Sequence, residues 1–337
     1  MTAVVQDRYG PAPEGLLRLA RVEVPTVADD EVLVRTHASS IDRGTWHIMS
    51  GLPYPIRLAG FGARRPKYLN PGRALAGTVE AVGAAVSGLA RGYAVYGTGT
   101  STFAEHAVAP ADQLAPKPAN LSFDQAAAVP VSGLTALQAV REHGRVRAGQ
   151  RVLVVGASGG VGSFAVQIAV ADGAAVTAVC SAGKASMVRA LGVDAVVDYT
   201  REDFVDAGPF DLVLDIGGNA SLSRLRRALT PRGRLVIVGG ETDGRWLGGS
   251  DRQLRAKVLS PFVGQRLGTF VASENSADLE TLRGLAEDGA VTPVVDRTYP
   301  LADVVPAIRH LLDGRARGKV VVTVLDDARP VTPRSTP

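Results

Sequence analysis

The sequence contains very little cysteine: Cys180 is the only one among 337 residues. A single thiol can form neither an intramolecular disulfide nor a cysteine-based metal cage, so disulfide-stapled folds and zinc modules of that kind are excluded. Cys180 follows the apolar run 174–179. We therefore expect it to behave as a small buried hydrophobic residue.

Long hydrophobic runs and concentrated charge are also missing. No stretch approaches the ~20 apolar residues that a membrane-spanning helix needs. The N-terminus lacks the charged-then-apolar layout of a secretory signal, and we expect a cytoplasmic protein without membrane contact. The net charge of +4 is spread along the chain. The absence of a dense basic block with interleaved aromatic residues argues against nucleic acid as a partner.

The length predicts about two domains, at roughly 150 residues each. The first third is rich in β-formers, for example in residues 31–37 and 77–83. Residues 51–73 contain several Pro and Gly residues and are predicted to form a long loop. Loops of this length in a compact domain are usually functional or mobile.

From about residue 121 the pattern changes to short apolar strands that alternate with amphipathic helical segments such as 221–229. Ser122 is the predicted N-cap of the first helix. Unbroken Val, Ile and Leu runs are typical of parallel strands that are buried on both faces. Six such strands with helical crossovers predict a doubly wound Rossmann sheet. The strands are predicted near residues 151–155, 175–179, 195–198, 211–214, 234–238 and 267–271.

The chain after about residue 290 is too short to be a domain of its own. Its strand (294–299), helix (301–312) and strand (318–324) are predicted to return to the N-terminal β-structure. We therefore expect an α/β protein in which a Rossmann domain (123–289) is inserted into a β-rich substrate domain (1–122 and 290–337). The Pro-rich end, residues 326–337, is predicted to be disordered.

The strongest motif is the glycine-rich turn that follows the predicted strand 151–155 and precedes an apolar helix. Ala157, Gly159 and Gly162 occupy the three positions of a dinucleotide-binding fingerprint. Gly159 would let the backbone approach a pyrophosphate, and Gly162 would let the helix pack closely on the strand. The helix N-terminus would attract the phosphates. We predict that the turn binds the cofactor through Ala157, Ser158, Gly159, Gly160, Val161 and Gly162. The alternative is a tight connection without a ligand.

This turn resembles the cofactor loop of the medium-chain dehydrogenase/reductase superfamily, in its quinone oxidoreductase-like branch. The resemblance covers nearly the whole chain, from Glu31 to about Val324, and includes residues 71–83, 103–106, 127–136, 191–199 and 318–321. It implies a GroES-like substrate domain built from both chain ends, with the active site in the cleft beside the Rossmann insertion. The chain departs from the family pattern at Ala74, where an acidic residue is usual. It departs again around Ala94, where residues 92–95 are Gly-Tyr-Ala-Val and the family usually has Gly-Asp-x-Val.

The resemblance also implies chemistry without zinc. Zinc-dependent relatives hold the metal with Cys and His, and the segment that would supply the first ligand, residues 38–42, has neither. Without a Lewis acid an unactivated alcohol is a poor substrate, whereas quinones and α,β-unsaturated carbonyls delocalise the incoming electron pair. We expect a reductase of such small molecules. The alternatives are a metal-free alcohol or ketone dehydrogenase, and a relative that binds the cofactor but serves as a nucleic-acid-binding or structural protein.

Two catalytic candidates follow from the resemblance. Asp42 lies where relatives often carry an Asn close to the nicotinamide, and Tyr54 lies where a pocket Tyr can donate to the substrate oxygen or supply the proton. The alternatives are a helix N-cap for Asp42 and a packed pocket wall for Tyr54. His47 and Trp46 are expected to shape the pocket. Thr135 is expected to pack beside the nicotinamide, with Phe270 and Val271 lining the same site.

The cofactor is predicted to be NADPH. NAD-specific Rossmann proteins place an acidic residue after the second strand, and the segment 179–184 has none. Ser181 can donate a hydrogen bond to a 2′-phosphate, and Lys184 supplies a positive charge. Tyr199 resembles a family residue whose hydroxyl reaches this phosphate. The alternative is that Lys184 only faces solvent. We also expect a homodimer.

Overall fold

Two large β-sheets organise the molecule, which a computed structural model describes at residues 1–239, 246, 248 and 250–325. The predicted disorder of residues 326–337 lies outside these residues. Within them, no helix is both long and apolar enough to cross a membrane.

The first sheet is built mainly from the N-terminal part of the chain. The strands in this part of the chain are β1 (Thr2–Val5), β2 (Arg18–Arg21), β3 (Glu31–Ile41), β4 (Ala74–Val82), β5 (Ala94–Thr98), β6 (His106–Pro110) and β7 (Leu114–Pro116). Strands β1 and β2 form a separate antiparallel pair. Strand β3 lies at the centre of the larger sheet, between β4 and β6.

The connection from β3 to β4 carries one short helix and a long loop. Helix α1 (Arg43–Ser50) follows β3 directly. Residues 51–73 contain one π-helical turn, Arg57–Phe61, and otherwise no strand or α-helix. The predicted loop is therefore confirmed.

The second sheet has six parallel strands, and it confirms the prediction of a doubly wound Rossmann sheet. The strands are β8 (Arg151–Val155), β9 (Ala175–Cys180), β10 (Ala195–Asp198), β11 (Phe210–Asp215), β12 (Leu229–Ile237) and β13 (Arg266–Thr269). Their order is β10-β9-β8-β11-β12-β13. From the central strand β8 the chain first adds β9 and β10 on one side and then β11, β12 and β13 on the other side. Strand β12 begins five residues earlier than 234, and β13 ends two residues before 271. Phe270, the residue after β13, stacks on His143.

Seven α-helices lie between residues 123 and 287 of the described chain. They are α2 (Phe123–Ala127), α3 (Pro130–Leu137), α4 (Gly160–Ala171), α5 (Ala185–Arg189), α6 (Leu222–Arg227), α7 (Ser250–Leu259) and α8 (Ser276–Glu287). Helix α2 packs against β3 and β4 of the first sheet, whereas α4, α5, α6 and α7 contact strands of the parallel sheet. Ser122 caps α2 as predicted, and its hydroxyl accepts a hydrogen bond from Gln125 N at 3.2 Å. The largest hydrophobic cluster lies under α3, α4 and α8, and it includes the buried Cys180.

The C-terminal segment returns to the first sheet, as predicted. It comprises strand β14 (Val295–Pro300), helix α9 (Val304–Leu312) and strand β15 (Lys319–Thr323). Strand β15 pairs in parallel with β14 and antiparallel with β3. This return places the N-terminal end of β15 beside the glycine-rich turn, where Gly318 N donates to Ser158 O at 2.9 Å. The predicted domain limits at 122/123 and 289/290 stay a prediction.

Candidate active site

The glycine-rich turn between β8 and α4 has the geometry that a dinucleotide requires. Gly156 adopts a φ of +89°, and a Cβ there would lie 2.7 Å from Gly217 N. A Cβ on Gly162 would lie 2.1 Å from Gly156 O, so only glycine lets the helix pack this closely on the turn. Gly159 is the N-cap of α4 and makes no side-chain cap bond, which leaves the first N–H groups of the helix for an anion. Gly156 was not among the predicted residues, although a glycine directly after a buried strand is a usable signal.

A first cavity of about 270 Å³ lies beside the turn, at the carboxyl ends of β8 and β9. Ser158 and Tyr199, both predicted, line it together with Cys180. Asn219 and Arg224 also line this cavity and were not predicted. Arg224 already pairs with Asp203 at 3.1 Å. The cavity lies on the side of the turn where the adenosine half of a dinucleotide binds in Rossmann folds.

Lys184 lies close to the first cavity but does not simply face solvent. Its ammonium donates to Gly314 O at 2.9 Å and to Ala316 O at 2.8 Å, so it joins the end of β9 to the C-terminal segment. Burial lowers the pKa of Lys184. Ser181 is the half-buried residue that precedes this turn. The two backbone bonds leave one ammonium proton of Lys184 for a further acceptor.

One carboxylate, Asp198, lies at the end of the neighbouring strand β10, opposite Cys180. Hydrogen bonds from Thr200 and from the Ala182 backbone lower its pKa, so it is ionised at neutral pH. Its Oδ1 accepts from Thr200 Oγ1 at 2.8 Å. The carboxylate is therefore already engaged within its own turn.

A second cavity of about 410 Å³ lies on the other side of the turn, between the parallel sheet and the first sheet. Its walls combine apolar residues at the ends of β11 and β12 with polar residues from α1, α3 and β15. The predicted residues Asp42, Thr135, Gly159, Gly160 and Val161 line it, together with His47, Val131, Ser132, Ile216, Val238 and Lys319. The cavity occupies the crevice in which the reactive half of a dinucleotide would meet a substrate.

Asp42 is the N-cap of α1, as the alternative interpretation proposed. Its Oδ1 accepts from Thr45 N at 3.0 Å, and Thr45 Oγ1 accepts from Asp42 N at 3.2 Å. Its Oδ2 is buried and accepts no hydrogen bond from the described residues. The capping bond fixes the carboxyl group, and the second oxygen is shielded from solvent at the wall of the second cavity.

Lys319 is the residue that the sequence analysis missed. Its side chain is 1% exposed, and Nζ lies 3.1 Å from Ser132 Oγ and 3.8 Å from Asp42 Oδ2. Burial lowers its pKa, and the charge of Asp42 opposes that change. The one available signal was its place in the family-like segment 318–321, because residues 42, 132 and 319 are brought together only by the tertiary fold.

Tyr54, Phe270 and Val271 are not among the residues that line the two cavities. The Tyr54 ring meets Trp246 edge-on at 5.1 Å and lies under the Arg57 guanidinium at 4.9 Å. Phe270 stacks on His143, and Val271 is 96% exposed. Their predicted roles stay predictions. His47 lines the second cavity, where burial lowers its pKa and its Nδ1 lies 2.7 Å from Leu52 O.

Metal ligands are not assembled in the described part of the chain, where no group of three or more His, Cys, Asp or Glu side chains could hold an ion. The two positions that depart from the family pattern are structural. Ala74 is buried at the start of β4, where its carbonyl accepts from Ser39 Oγ at 2.6 Å, and Ala94 is exposed at the start of β5.

The glycine turn, the free helix terminus and the two flanking cavities fit a dinucleotide and define a nicotinamide-dependent oxidoreductase. Family models agree: "Alcohol dehydrogenase GroES-like domain" matches residues 28–119, and "Zinc-binding dehydrogenase" matches residues 191–322. The 2-methylene-furan-3-one reductase of Solanum lycopersicum is 34% identical over 319 residues, 90% of this chain and 74% of that protein.

Solved structures give the same result. The quinone oxidoreductase of Coxiella burnetii superposes with a TM-score of 0.81 at 28% identity, covering 96% of this chain and 99% of that one. A mycobacterial protein solved in complex with NADPH gives a TM-score of 0.79 at 26% identity, covering 96% and 100%. The chain belongs to the medium-chain dehydrogenase/reductase superfamily, in its quinone oxidoreductase-like branch.

Proposed function

We propose that the protein is a zinc-independent, NADPH-dependent reductase that transfers hydride to quinones or α,β-unsaturated carbonyl compounds. The observation that carries this proposal is the second cavity. It joins the cofactor turn to Asp42, Thr135 and Lys319, and it contains neither a thiolate nor a cluster of metal ligands among the described residues.

The residues of the chain suit this chemistry. Bound NADPH would supply the hydride. The α4 N-terminus would bind the phosphates, while Val131, Ile216 and Val238 give the cavity apolar walls that restrict water. A quinone or enone moves the incoming electron pair onto its own oxygen, so the protein has to position the reactants and stabilise that oxygen.

The family description "Zinc-binding dehydrogenase" does not require zinc in this chain. Cys180 lies buried in the parallel sheet, where it lines the first cavity rather than the second. The segment 38–42 forms the end of β3 and the N-cap of α1, and it supplies one carboxylate that is already bound to Thr45. These residues support a site that works without metal.

The proposed preference for NADPH rests on the side of the turn that carries the first cavity. Ser181, Lys184 and Tyr199 remain the candidates for the 2′-phosphate. The position of Lys184, held by two carbonyls beside the end of β9, supports this assignment. The carboxylate of Asp198 accepts a hydrogen bond from Thr200, so its presence does not weaken this assignment.

A homodimer is also proposed. Strand β13 is an edge of the parallel sheet, and no described strand pairs with its outer side. Leu254, Val258 and Phe262 are exposed on the segment that leads into this strand. A second copy could pair its own edge and cover these residues. Light scattering on the purified protein tests this proposal, and Phe262→Asp should shift a dimer towards monomer.

The cytoplasmic location stays a prediction that cell fractionation can test.

The function is tested by NADPH oxidation with a matched substrate panel: a quinone, an α,β-unsaturated ketone, and the saturated ketone of the same skeleton. We expect turnover of the first two, little of the third, a higher kcat/KM with NADPH than with NADH, and full activity after chelation. Stoichiometric zinc with loss of activity on its removal would contradict the metal-free site. Reduction of the saturated ketone alone would favour the alcohol/ketone dehydrogenase.

A further inference from the structure

Asp42 and Lys319 are two buried, oppositely charged groups at one wall of the second cavity. Their nearest N and O atoms are 3.8 Å apart, which is an ion pair and too long for a hydrogen bond. Lys319 enters on β15 of the first sheet, and its side chain packs against Gly160, the first residue of α4. The pair therefore lies where both sheets meet the cofactor turn.

The two groups are not equally exposed. Side-chain exposure is 12% for Asp42 and 1% for Lys319, and both residues line the second cavity. Lys319 is further held by Ser132 Oγ at 3.1 Å. The buried Oδ2 of Asp42 accepts no hydrogen bond from any described residue, so its charge is balanced mainly by Lys319 across the 3.8 Å gap.

The charge of a nicotinamide ring changes during hydride transfer. The reduced ring is neutral, and the ring becomes a cation when the hydride leaves with its electron pair. A carboxylate near the ring stabilises the oxidised form relative to the reduced form, and a cation has the opposite effect. Because the phosphates are the same in both forms, the difference between the affinities for NADP⁺ and NADPH reports the electrostatic potential at the ring.

We propose that Asp42 is the electrostatic partner of the oxidised nicotinamide ring, and that Lys319 is a positioning residue that balances and holds its charge. This inference rests on the proposed function for the identity of the cofactor. The pair would make hydride donation more favourable, while Lys319 prevents the carboxylate from retaining the oxidised cofactor too tightly.

The test is to measure dissociation constants for NADP⁺ and NADPH separately, by calorimetry and by cofactor fluorescence. Asp42→Asn keeps the size of the side chain and can still cap α1, but it removes the negative charge. We expect it to weaken NADP⁺ binding relative to NADPH by about tenfold, the change that roughly 1.4 kcal/mol of lost attraction produces. Lys319→Met removes the positive charge and should shift the same ratio the other way.

Asp124→Asn is the matched control. Asp124 also contacts strand β15, through Thr323 Oγ1 at 3.2 Å, but it does not line either cavity. The control should leave the ratio of the two dissociation constants unchanged. A purely structural role of Asp42 or Lys319 would change both affinities together and leave their ratio constant.

Several results would overturn the inference. An unchanged ratio in Asp42→Asn would show that the carboxylate does not act on the ring. Equal weakening of both cofactors in Lys319→Met would give the lysine a structural or phosphate-binding role instead. If the wild-type protein binds neither cofactor, the proposed function itself fails. If it binds both but the ratio does not move, only the present inference fails.

Discussion

At the scale of single residues, Lys184 makes contacts in the folded chain that its local sequence pattern did not predict. The sequence places a lysine after the second strand of a Rossmann sheet, and the structure adds two carbonyl partners, Gly314 and Ala316. These bonds restrict the ammonium to one place near the first cavity. Lys184 therefore has two candidate roles, as a phosphate ligand and as a link to the C-terminal segment.

Lys184→Ala separates these roles. If the ammonium binds the 2′-phosphate, kcat/KM should fall for NADPH but not for NADH, by roughly 1.5–3 kcal/mol or about 10- to 150-fold. Lys117→Ala is the matched control, because Lys117 is also half-buried and donates to two backbone carbonyls, those of Pro118 and Leu121. Equal losses with both cofactors would reduce Lys184 to a structural link.

Tyr54 is the second residue whose role needs a direct test. Its ring lies between Arg57 and Trp246 rather than among the residues that line the second cavity. From this position we expect Tyr54→Phe to raise KM while kcat changes less than about threefold. A decrease in kcat of ~10²-fold, the size of one lost transition-state hydrogen bond, would restore the sequence-based assignment of Tyr54 to the reacting oxygen.

At the scale of elements, the sequence predicted most of the parallel sheet because buried parallel strands have a strong local signature. Strand β8 matches its predicted limits of 151–155. The early start of β12 could not be predicted, since Leu229 joins the sheet by pairing with Phe210 across a register shift. Lys319 was missed for a related reason: its neighbours Asp42, Ser132 and Gly160 are distant in sequence and give no local pattern.

A buried ion pair joins α7 to the parallel sheet, in addition to the apolar packing of Ala256 and Leu259. Arg252 Nη1 lies 2.7 Å from Asp215 Oδ2 at the end of β11, and the same guanidinium donates to Ala220 O and Gly239 O at 2.6 and 2.9 Å. Asp215 is fully buried, and burial raises its pKa to about 6 even beside Arg252. Removal of the arginine would leave this carboxylate buried without a partner.

Arg252→Met should therefore lower the free energy of unfolding at neutral pH by ~3–5 kcal/mol. The loss should shrink as the pH falls, because without Arg252 the folded-state pKa of Asp215 is higher than in the wild type and protonation removes the unpaired buried charge. Denaturant unfolding at about pH 7.5 and about pH 5.5 measures this difference. The exposed pair Arg141–Asp172 provides the control, since Arg141→Met should cost ~1 kcal/mol or less. A loss that does not depend on pH would contradict the role given to Asp215.

At the scale of the whole molecule, both ends of the chain and the glycine-rich turn contribute residues to the second cavity. Strand β15 carries Lys319 into contact with α4, and Gly318 binds the cofactor turn through Ser158 O at 2.9 Å. Neither sheet alone contains the second cavity. The sequence predicted that the C-terminal segment returns to the first sheet. The residues that line the second cavity come together only through the packing of the two sheets, so their arrangement could not be predicted.

The central claim, metal-free hydride transfer from NADPH to a conjugated acceptor, is tested most directly with cofactor labelled by deuterium at the reactive C4 position. An α,β-unsaturated ketone is reduced in chelator-treated buffer, and the product is examined by NMR. We predict one deuterium on the β-carbon, a solvent hydrogen on the α-carbon and an intact carbonyl group. Deuterium on the carbonyl carbon, or transfer only after zinc is added, would contradict the account.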